Sequence, residues 1–334
     1  MSQMALEARE APQAVARFLE RNAATLAELG RGLRLEPPPV VLTAARGSSD
    51  NAASYFKYLL EIVTGTPCAS IGASVVSIYG ATLKVKGALS VTFSQSGQSP
   101  DIVALQAAAR AGGARTVAAV NVEGSPIARG ADIVLPLCAG VERSVAATKS
   151  FIVSLVAGAA IIAHWTSDAA LLAALHRMPE ALSLACDLSW PAFVEQARAA
   201  DSLYVLGRGP ALPIAAEAAL KLKETCAIHA EAYSAAEVMH GPLELLGEKF
   251  PVIAFVPEDA AAAATRTAID RMTAAGARVL VVGGGGLSFA PAGHPLLDGI
   301  SMIQTAYLAI EQVAQALGRD PDHPRHLKKV TETL

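Results

Sequence analysis

Two stretches of the chain bring together residue types suited to chemistry on a small anionic molecule. The first is Ser94-Gln95-Ser96-Gly97-Gln98-Ser99, which follows the apolar run 89–93 and precedes Pro100-Asp101. Hydroxyls, a glycine and the free N–H groups of a helix N-terminus make an anion site, because helix dipole and orphan donors both favour phosphate. The loop contains no lysine and suits a monoester held by neutral donors. An ordinary polar turn, with Ser99 as helix cap and Pro100 at the first helical position, satisfies the same pattern. The equivalent turn later in the chain, Val256-Pro257-Glu258-Asp259, has acids instead of hydroxyls, so one phosphate site per chain is expected.

The second stretch is Ala218-Ala219-Leu220-Lys221-Leu222-Lys223-Glu224. On a helix Lys221 and Glu224, three apart, share a face. A carboxylate beside an ammonium is what proton transfer next to a carbonyl needs, with Glu224 as base and Lys221 as electrostatic or acid partner. An exposed ion pair has the same spacing.

Further polar clusters are less specific. Gly47-Ser48-Ser49-Asp50 either adds the Ser49 hydroxyl to the same anion or caps a helix. Residues 144–149 (Ser-Val-Ala-Ala-Thr-Lys) open an apolar helix and carry the same ambiguity. His229-Ala230-Glu231 and Glu237-Val238-Met239-His240-Gly241-Pro242 supply two of seven histidines. His240 precedes Gly-Pro at a turn rather than in an apolar stripe, which favours a functional role. The Pro-punctuated tail 320–329 reads by itself as a frayed terminus.

The elements that must position these residues come from an internal repeat. VVLTAARGSS (from Val40) matches SLYVLGRGPA (from Ser202) at an offset of 162. AGGARTVAAVN (from Ala111) matches AAGARVLVVGG (from Ala274) at an offset of 163, and SVTFSQSGQSPD corresponds to PVIAFVPEDA between them. Each repeat alternates short Val/Ile/Leu runs with Ala-rich helical segments such as 102–111 and 261–275, implying parallel strands covered by helices on both faces. Ligands then bind at the carboxyl ends of the strands. A helix over about 5–29 precedes the repeats, and a helical stretch, 171–199, joins them.

At 334 residues, 52% hydrophobic and 17% charged, the chain is expected to fold as two domains with large cores. A net charge of −3 without a dense Lys/Arg run argues against nucleic acid. The four cysteines lack disulfide or metal-ligand spacing. The apolar stretch 151–165, shorter than a bilayer span and interrupted by Ser154 and His164, reads as a buried helix. The charged N-terminus lacks a signal-peptide pattern, so no membrane association and a cytoplasmic location are expected.

Together SQSGQSPD, ALKLKE, HAEAYSAAEVMHGP and HPRHLKKVTETL closely resemble the double sugar-isomerase (SIS) domain family, which includes the isomerase half of glucosamine-6-phosphate synthase. Within it the nearest likeness is to stand-alone glucosamine-6-phosphate deaminases of the second type. The resemblance implies an α/β fold of two tandem SIS domains, each a flavodoxin-like parallel sheet flanked by helices. The expected boundaries are 1–35 N-terminal helical segment, 36–170 first domain, 171–199 connection, 200–318 second domain and 319–334 active-site tail. It places phosphate binding on Ser94, Gln95, Ser96 and Ser99 with Ser49, and the sugar pocket around Val145 and Ala147, the latter standing where the synthase has a serine. It makes Glu224 the base, Lys221 its support, His240 a ring-opening residue donated by a neighbouring subunit, and Lys329 a residue able to form a Schiff base.

The implied ligand is a sugar phosphate and the implied assembly a homodimer with shared active sites, with no metal or organic cofactor. The sequence shows no glutaminase domain ahead of the repeats, so glutamine is not the expected nitrogen source. No helix-turn-helix segment precedes them either. The expected reaction is deamination of glucosamine 6-phosphate to fructose 6-phosphate and ammonia. A phosphosugar aldose–ketose isomerase or a deglycase would use the same groups. A non-catalytic sugar-phosphate regulator would use the phosphate loop but have no need of a base.

Overall fold

A computed structural model describes residues 1–327 and 329. The chain divides into two compact units that interleave along the sequence. One comprises Gln13–Glu142 and Lys149–His176 together with Lys329; the other comprises Met1–Pro12, Arg143–Thr148 and Arg177–Leu327.

The first unit is built on five strands: β1 Val41–Ala44, β2 Cys68–Ser70, β3 Leu89–Ser94, β4 Arg115–Val120 and β5 Ile133–Pro136. They pair in parallel in the order β2-β1-β3-β4-β5. Every residue of β1 and β3 is buried, as a parallel sheet covered on both faces requires. The apolar helix is Lys149–Thr166, with all but two of its residues buried inside the unit, which accounts for its membrane-like composition. Its Gly158 admits Phe56 of the helix Ser48–Thr64, and Phe56 in turn packs against Phe93 of β3 at 5.7 Å between ring centroids.

The second unit repeats the plan with β6 Ser202–Gly207, β7 His229–Ser234, β8 Pro251–Phe255 and β9 Arg278–Val282, all parallel in the order β7-β6-β8-β9. The repeat read from sequence therefore extends to four strands. β1 and β6 start at 41 and 202, β2 and β7 at 68 and 229, β3 and β8 at 89 and 251, and β4 and β9 at 115 and 278. The offsets stay within two residues of one another. The helix Asp298–Ala316, almost wholly buried, packs on the helices Ala211–Lys221 and Pro191–Arg198, while Trp190 fills the core beside Phe193 and Phe255 and donates its indole N–H to the Ser288 carbonyl at 2.8 Å. At the exit of β6, a Cβ on Gly207 would lie 2.2 Å from the Ala211 carbonyl oxygen, so only glycine lets the next helix start this close.

The helices flanking the repeats differ from the sequence reading. The N-terminal helix is two, Gln3–Arg9 and Ala11–Leu35, and the connection is two, Ala169–Cys186 and Pro191–Arg198. Pro12 and Pro191 supply the breaks: each lacks an N–H and is accommodated in a first helical turn. The short first helix has a structural task in the second unit. Its buried Glu7 accepts the backbone N–H of Arg143 at 2.5 Å through Oε1 and that of Ser144 at 3.1 Å through Oε2. Those bonds tie residues 143–148 to a unit from which they are distant in sequence. Replacing Glu7 with Ala strands the buried N–H of Ser144 and the partly buried N–H of Arg143 and is expected to cost about 1–3 kcal/mol. Hydrogen exchange at Arg143 and Ser144 should accelerate, and Glu7→Gln should lose less.

Candidate active site

The helix Ala211–Lys221, Ala-rich and so a strong helix former, runs into a π-helical turn at Leu222–Cys226. The wider turn disturbs the backbone ladder, and the Thr225 hydroxyl donates to the Lys221 carbonyl at 2.8 Å. The chain leaves the turn at Ala227 with φ 52°, a left-handed conformation that costs a non-glycine residue about 1–2 kcal/mol.

This local distortion sets the Lys221–Glu224 pair. The Lys221 ammonium, fully buried, lies 2.5 Å from Glu224 Oε2 and 3.3 Å from Glu217 Oε1. Glu217 is itself fully buried and accepts the Tyr307 hydroxyl at 3.0 Å from the helix Asp298–Ala316. Burial opposes the ammonium charge, but the two carboxylates outweigh it and hold Lys221 above the ordinary lysine range. Lys221 is therefore a fixed cation. Of the three charged groups only Glu224 reaches solvent, with 22% of its side chain exposed. The exposed ion pair that the spacing also permitted is thus a buried cluster with one carboxylate presented outward.

Glu224 faces a cavity of about 710 Å³ whose lining includes Thr225, Ala227, Arg319, His323 and Arg325, a volume in the range of small-molecule sites. Residues 319–327 of the tail form one wall. The segment is fixed by Asp322, whose carboxylate accepts the N–H groups of Gln3 and Met4 at 2.7 Å each. At Asp322, then, the tail is anchored to the packed unit, while His323 and residues 325–327 beyond it are exposed. Lys328 and residues 330–334, which carry the rest of the KKVTETL motif, lie outside the described residues. His240, exposed, ends the 3₁₀ turn Glu237–His240 in the same unit, a turn anchored by the buried Val238. His229 is the first residue of the edge strand β7, exposed, with Nδ1 3.3 Å from the Ser202 hydroxyl. Val145 and Ala147 are half-buried in the segment 143–148.

The residues expected to bind phosphate belong to the first unit, at the carboxyl end of β3. Ser94 Oγ accepts the Gly97 N–H at 2.9 Å and Ser96 Oγ accepts the Gln98 N–H at 3.3 Å, so both hydroxyls shape the loop. Ser99 stands at the N-cap of the helix Pro100–Ala111 but makes no side-chain cap bond. Gln95, Ser96 and Ser99 are half-exposed. Ser49 lies in the first turn of the helix that follows β1, the strand hydrogen-bonded beside β3, so both polar turns stand at the carboxyl edge of neighbouring strands. Gly97 is indispensable to this shape: its φ is +65°, and a Cβ would lie 2.1 Å from Ser125 Oγ and 2.8 Å from Val120 Cγ2.

Lys329 is also in the first unit. Its Nζ is 3.4 Å from Oε2 of Glu142, which is fully buried and accepts Ser150 N–H at 3.1 Å and Ser150 Oγ–H at 2.5 Å. The structure thus unites Lys221 with Glu224 and gathers 94–99 in one loop. Glu217, Tyr307, Glu142 and Asp322 were missed by the sequence reading. Glu217 alone left a signal, an acid four residues before Lys221 in an otherwise apolar helical run.

A model of the SIS domain family matches residues 37–164 and 197–291, spans that contain β1–β5 and β6–β9 respectively. The glutamine–fructose-6-phosphate aminotransferase (isomerizing) of Zymomonas mobilis is 35% identical over 314 residues, covering 86% of this chain and 51% of that protein. The chain therefore spans about half the length of the curated relatives it matches. Among solved structures, a candidate phosphosugar isomerase from Silicibacter pomeroyi DSS-3 is 43% identical with a TM-score of 0.93, over 96% of this chain and 100% of that one. The C-terminal domain of glucosamine-fructose-6-phosphate aminotransferase from Francisella tularensis is 26% identical with a TM-score of 0.81, over 97% and 98%.

Two outcomes follow from the geometry. Lys221→Met leaves Glu217 buried without its cation and is expected to cost about 3–5 kcal/mol in chemical denaturation. Because the folded-state pKa of Lys221 is raised, its stabilisation is complete below the ordinary value of 10.5 and is lost as pH rises through the raised value. The stability gap between wild type and variant should narrow above that pH. Gly97→Ala is expected to distort the loop at a cost of about 1–3 kcal/mol and to weaken binding of inorganic phosphate, read by calorimetry.

Proposed function

The chain belongs to the SIS domain family, and from that premise we propose that it is a phosphosugar isomerase-type enzyme that deaminates glucosamine 6-phosphate to fructose 6-phosphate and ammonia. The observation that carries this reading is the Glu217–Lys221–Glu224 cluster, in which a buried cation fixes one outward carboxylate at a cavity. A carboxylate so held is a general base with a defined direction. Regulators need no such base.

In the proposed reaction the loop 94–99 anchors the 6-phosphate, remote from the reacting carbons, and so supplies positioning. His240, contributed by a second subunit of a homodimer, opens the sugar ring. Glu224 removes the proton from C2 and returns it to C1, turning the amino aldose into a C2 imine. Water adds to the imine carbon and ammonia leaves, so one amino sugar phosphate and one water give one ketose phosphate and one ammonia. Lys221 offsets the negative charge that develops while the proton is in transit. Lys329 is the amine available for a transient Schiff base at C2, and Glu142 beside it is the group that would accept its proton. Val145 and Ala147 line the sugar in this reading.

The 43% identity to a candidate phosphosugar isomerase favours a second reading, aldose–ketose isomerisation of a phosphosugar without loss of nitrogen. One assay separates the two: glucosamine 6-phosphate without glutamine, with ammonia and fructose 6-phosphate followed together. Equal release of both supports deamination, whereas ketose formation from a nitrogen-free aldose phosphate, with no ammonia from the amino sugar, supports isomerisation. Under either reading Glu224→Gln is expected to lower turnover about 10²–10⁴-fold while substrate binding stays close to wild type. An unchanged rate would remove Glu224 from the mechanism.

A further inference from the structure

The loop 94–99 contains no cation of its own, yet a phosphate monoester carries a charge of about −1.5 to −2 at neutral pH. Its neighbourhood is acidic as well: Asp50 lies in the first turn of the helix Ser48–Thr64 and Asp101 in the first turn of the helix Pro100–Ala111. A dianion seated among neutral donors and two carboxylates would be repelled. The structure supplies the missing charge from a residue outside the loop.

Arg46 follows β1 and precedes Gly47, at the same carboxyl edge of the sheet as the loop after β3. Its Nε and Nη2 donate to Oδ2 of Asp101 at 2.8 and 2.5 Å. Asp101 is fully buried while 53% of the Arg46 side chain is exposed. Asp101 therefore fixes the inner edge of the guanidinium and leaves the outer N–H groups toward solvent. The charge also reaches the other helix: burial pushes the Asp50 carboxyl above its ordinary range, and the Arg46 guanidinium opposes that rise. One side chain thus lies between the first turns of the two helices whose N-terminal hydroxyls form the cradle.

We propose that Arg46, held in place by Asp101, is the cation that recognises the phosphate at the loop 94–99 and makes the site selective for a phosphorylated over an unphosphorylated sugar. The inference rests on the reading that this loop is the phosphate site. A planar guanidinium with free N–H groups suits a phosphate oxygen better than a lysine would, since the fork is rigid once one edge is pinned.

The test is calorimetric titration of inorganic phosphate and of glucosamine 6-phosphate at constant salt into wild type, Arg46→Gln, Arg46→Lys, the double variant Arg46→Gln/Asp101→Asn, and Ser96→Ala/Ser99→Ala. Arg46→Gln is expected to weaken both ligands about 10–100-fold, and Arg46→Lys to recover part of the loss. The double variant, which leaves no uncompensated buried carboxylate, should fold as wild type and still bind weakly. Recovery of wild-type affinity in the double variant would mean that Arg46 only neutralises Asp101, and the proposal would be wrong; so would an Arg46→Gln affinity equal to wild type. Wild-type phosphate affinity in Ser96→Ala/Ser99→Ala would instead show that the loop is not the phosphate site, overturning the functional reading and this inference with it.

Discussion

An ammonium buried out of reach of water is unfavourable unless counter-charges meet it at contact distance, and Lys221 sets this condition for the second unit. Two carboxylates must approach it, and each must be supported in turn. Glu217 comes from one helical turn earlier and needs the Tyr307 hydroxyl, which requires the helix Asp298–Ala316 to cross against Ala211–Lys221. Glu224 comes from the π-helical turn, whose displaced carbonyl is met by Thr225. The result is a cluster with a formal charge of −1, whose excess negative charge has one outlet, the partly exposed Glu224. The same constraint that makes the cluster costly gives the carboxylate its fixed direction.

The two units use one plan and diverge where the strands end. The strand order β2-β1-β3-β4 is repeated as β7-β6-β8-β9, with β5 as the extra strand of the first sheet. After β3 the chain makes a hydroxyl-rich loop next to Arg46. After β8 it makes an acidic turn, and that turn satisfies itself: Asp259 accepts the Ala261 N–H at 2.9 Å and Glu258 pairs with Arg266. An anion has no reason to settle there. Duplication supplied two scaffolds, and the turns after corresponding strands differ in side-chain chemistry: hydroxyls near Arg46 after β3, a self-paired acidic turn after β8.

The repeat, the parallel sheets and the buried apolar helix were legible in the sequence because long runs such as 89–93 and 151–165 have a single stable placement. Short edge strands were not: β2 is three residues long with only Cys68 buried, and β7 begins at an exposed His229, so neither shows the hydrophobic pattern of a strand. The Lys221–Glu224 pair was readable from spacing, but its burial was not, since a three-residue separation is shared by surface pairs. Glu7, Glu142, Asp101 and Asp322 were invisible for a different reason: each acts by accepting backbone N–H groups or by meeting a residue far along the chain. Sequence spacing cannot encode such contacts.

The chain carries two lysines at candidate functional positions, and their surroundings separate their chemistry. A Schiff base requires a lysine to shed its proton and then bring a free lone pair to a carbonyl carbon. Lys221 meets neither condition, since two carboxylates hold its proton and its side chain is fully enclosed. Lys329 is partly exposed, and among the described residues its Nζ stands 3.4 Å from the carboxylate of Glu142, whose oxygens accept from Ser150. Lys221 is therefore suited to a permanent charge rather than to covalent chemistry.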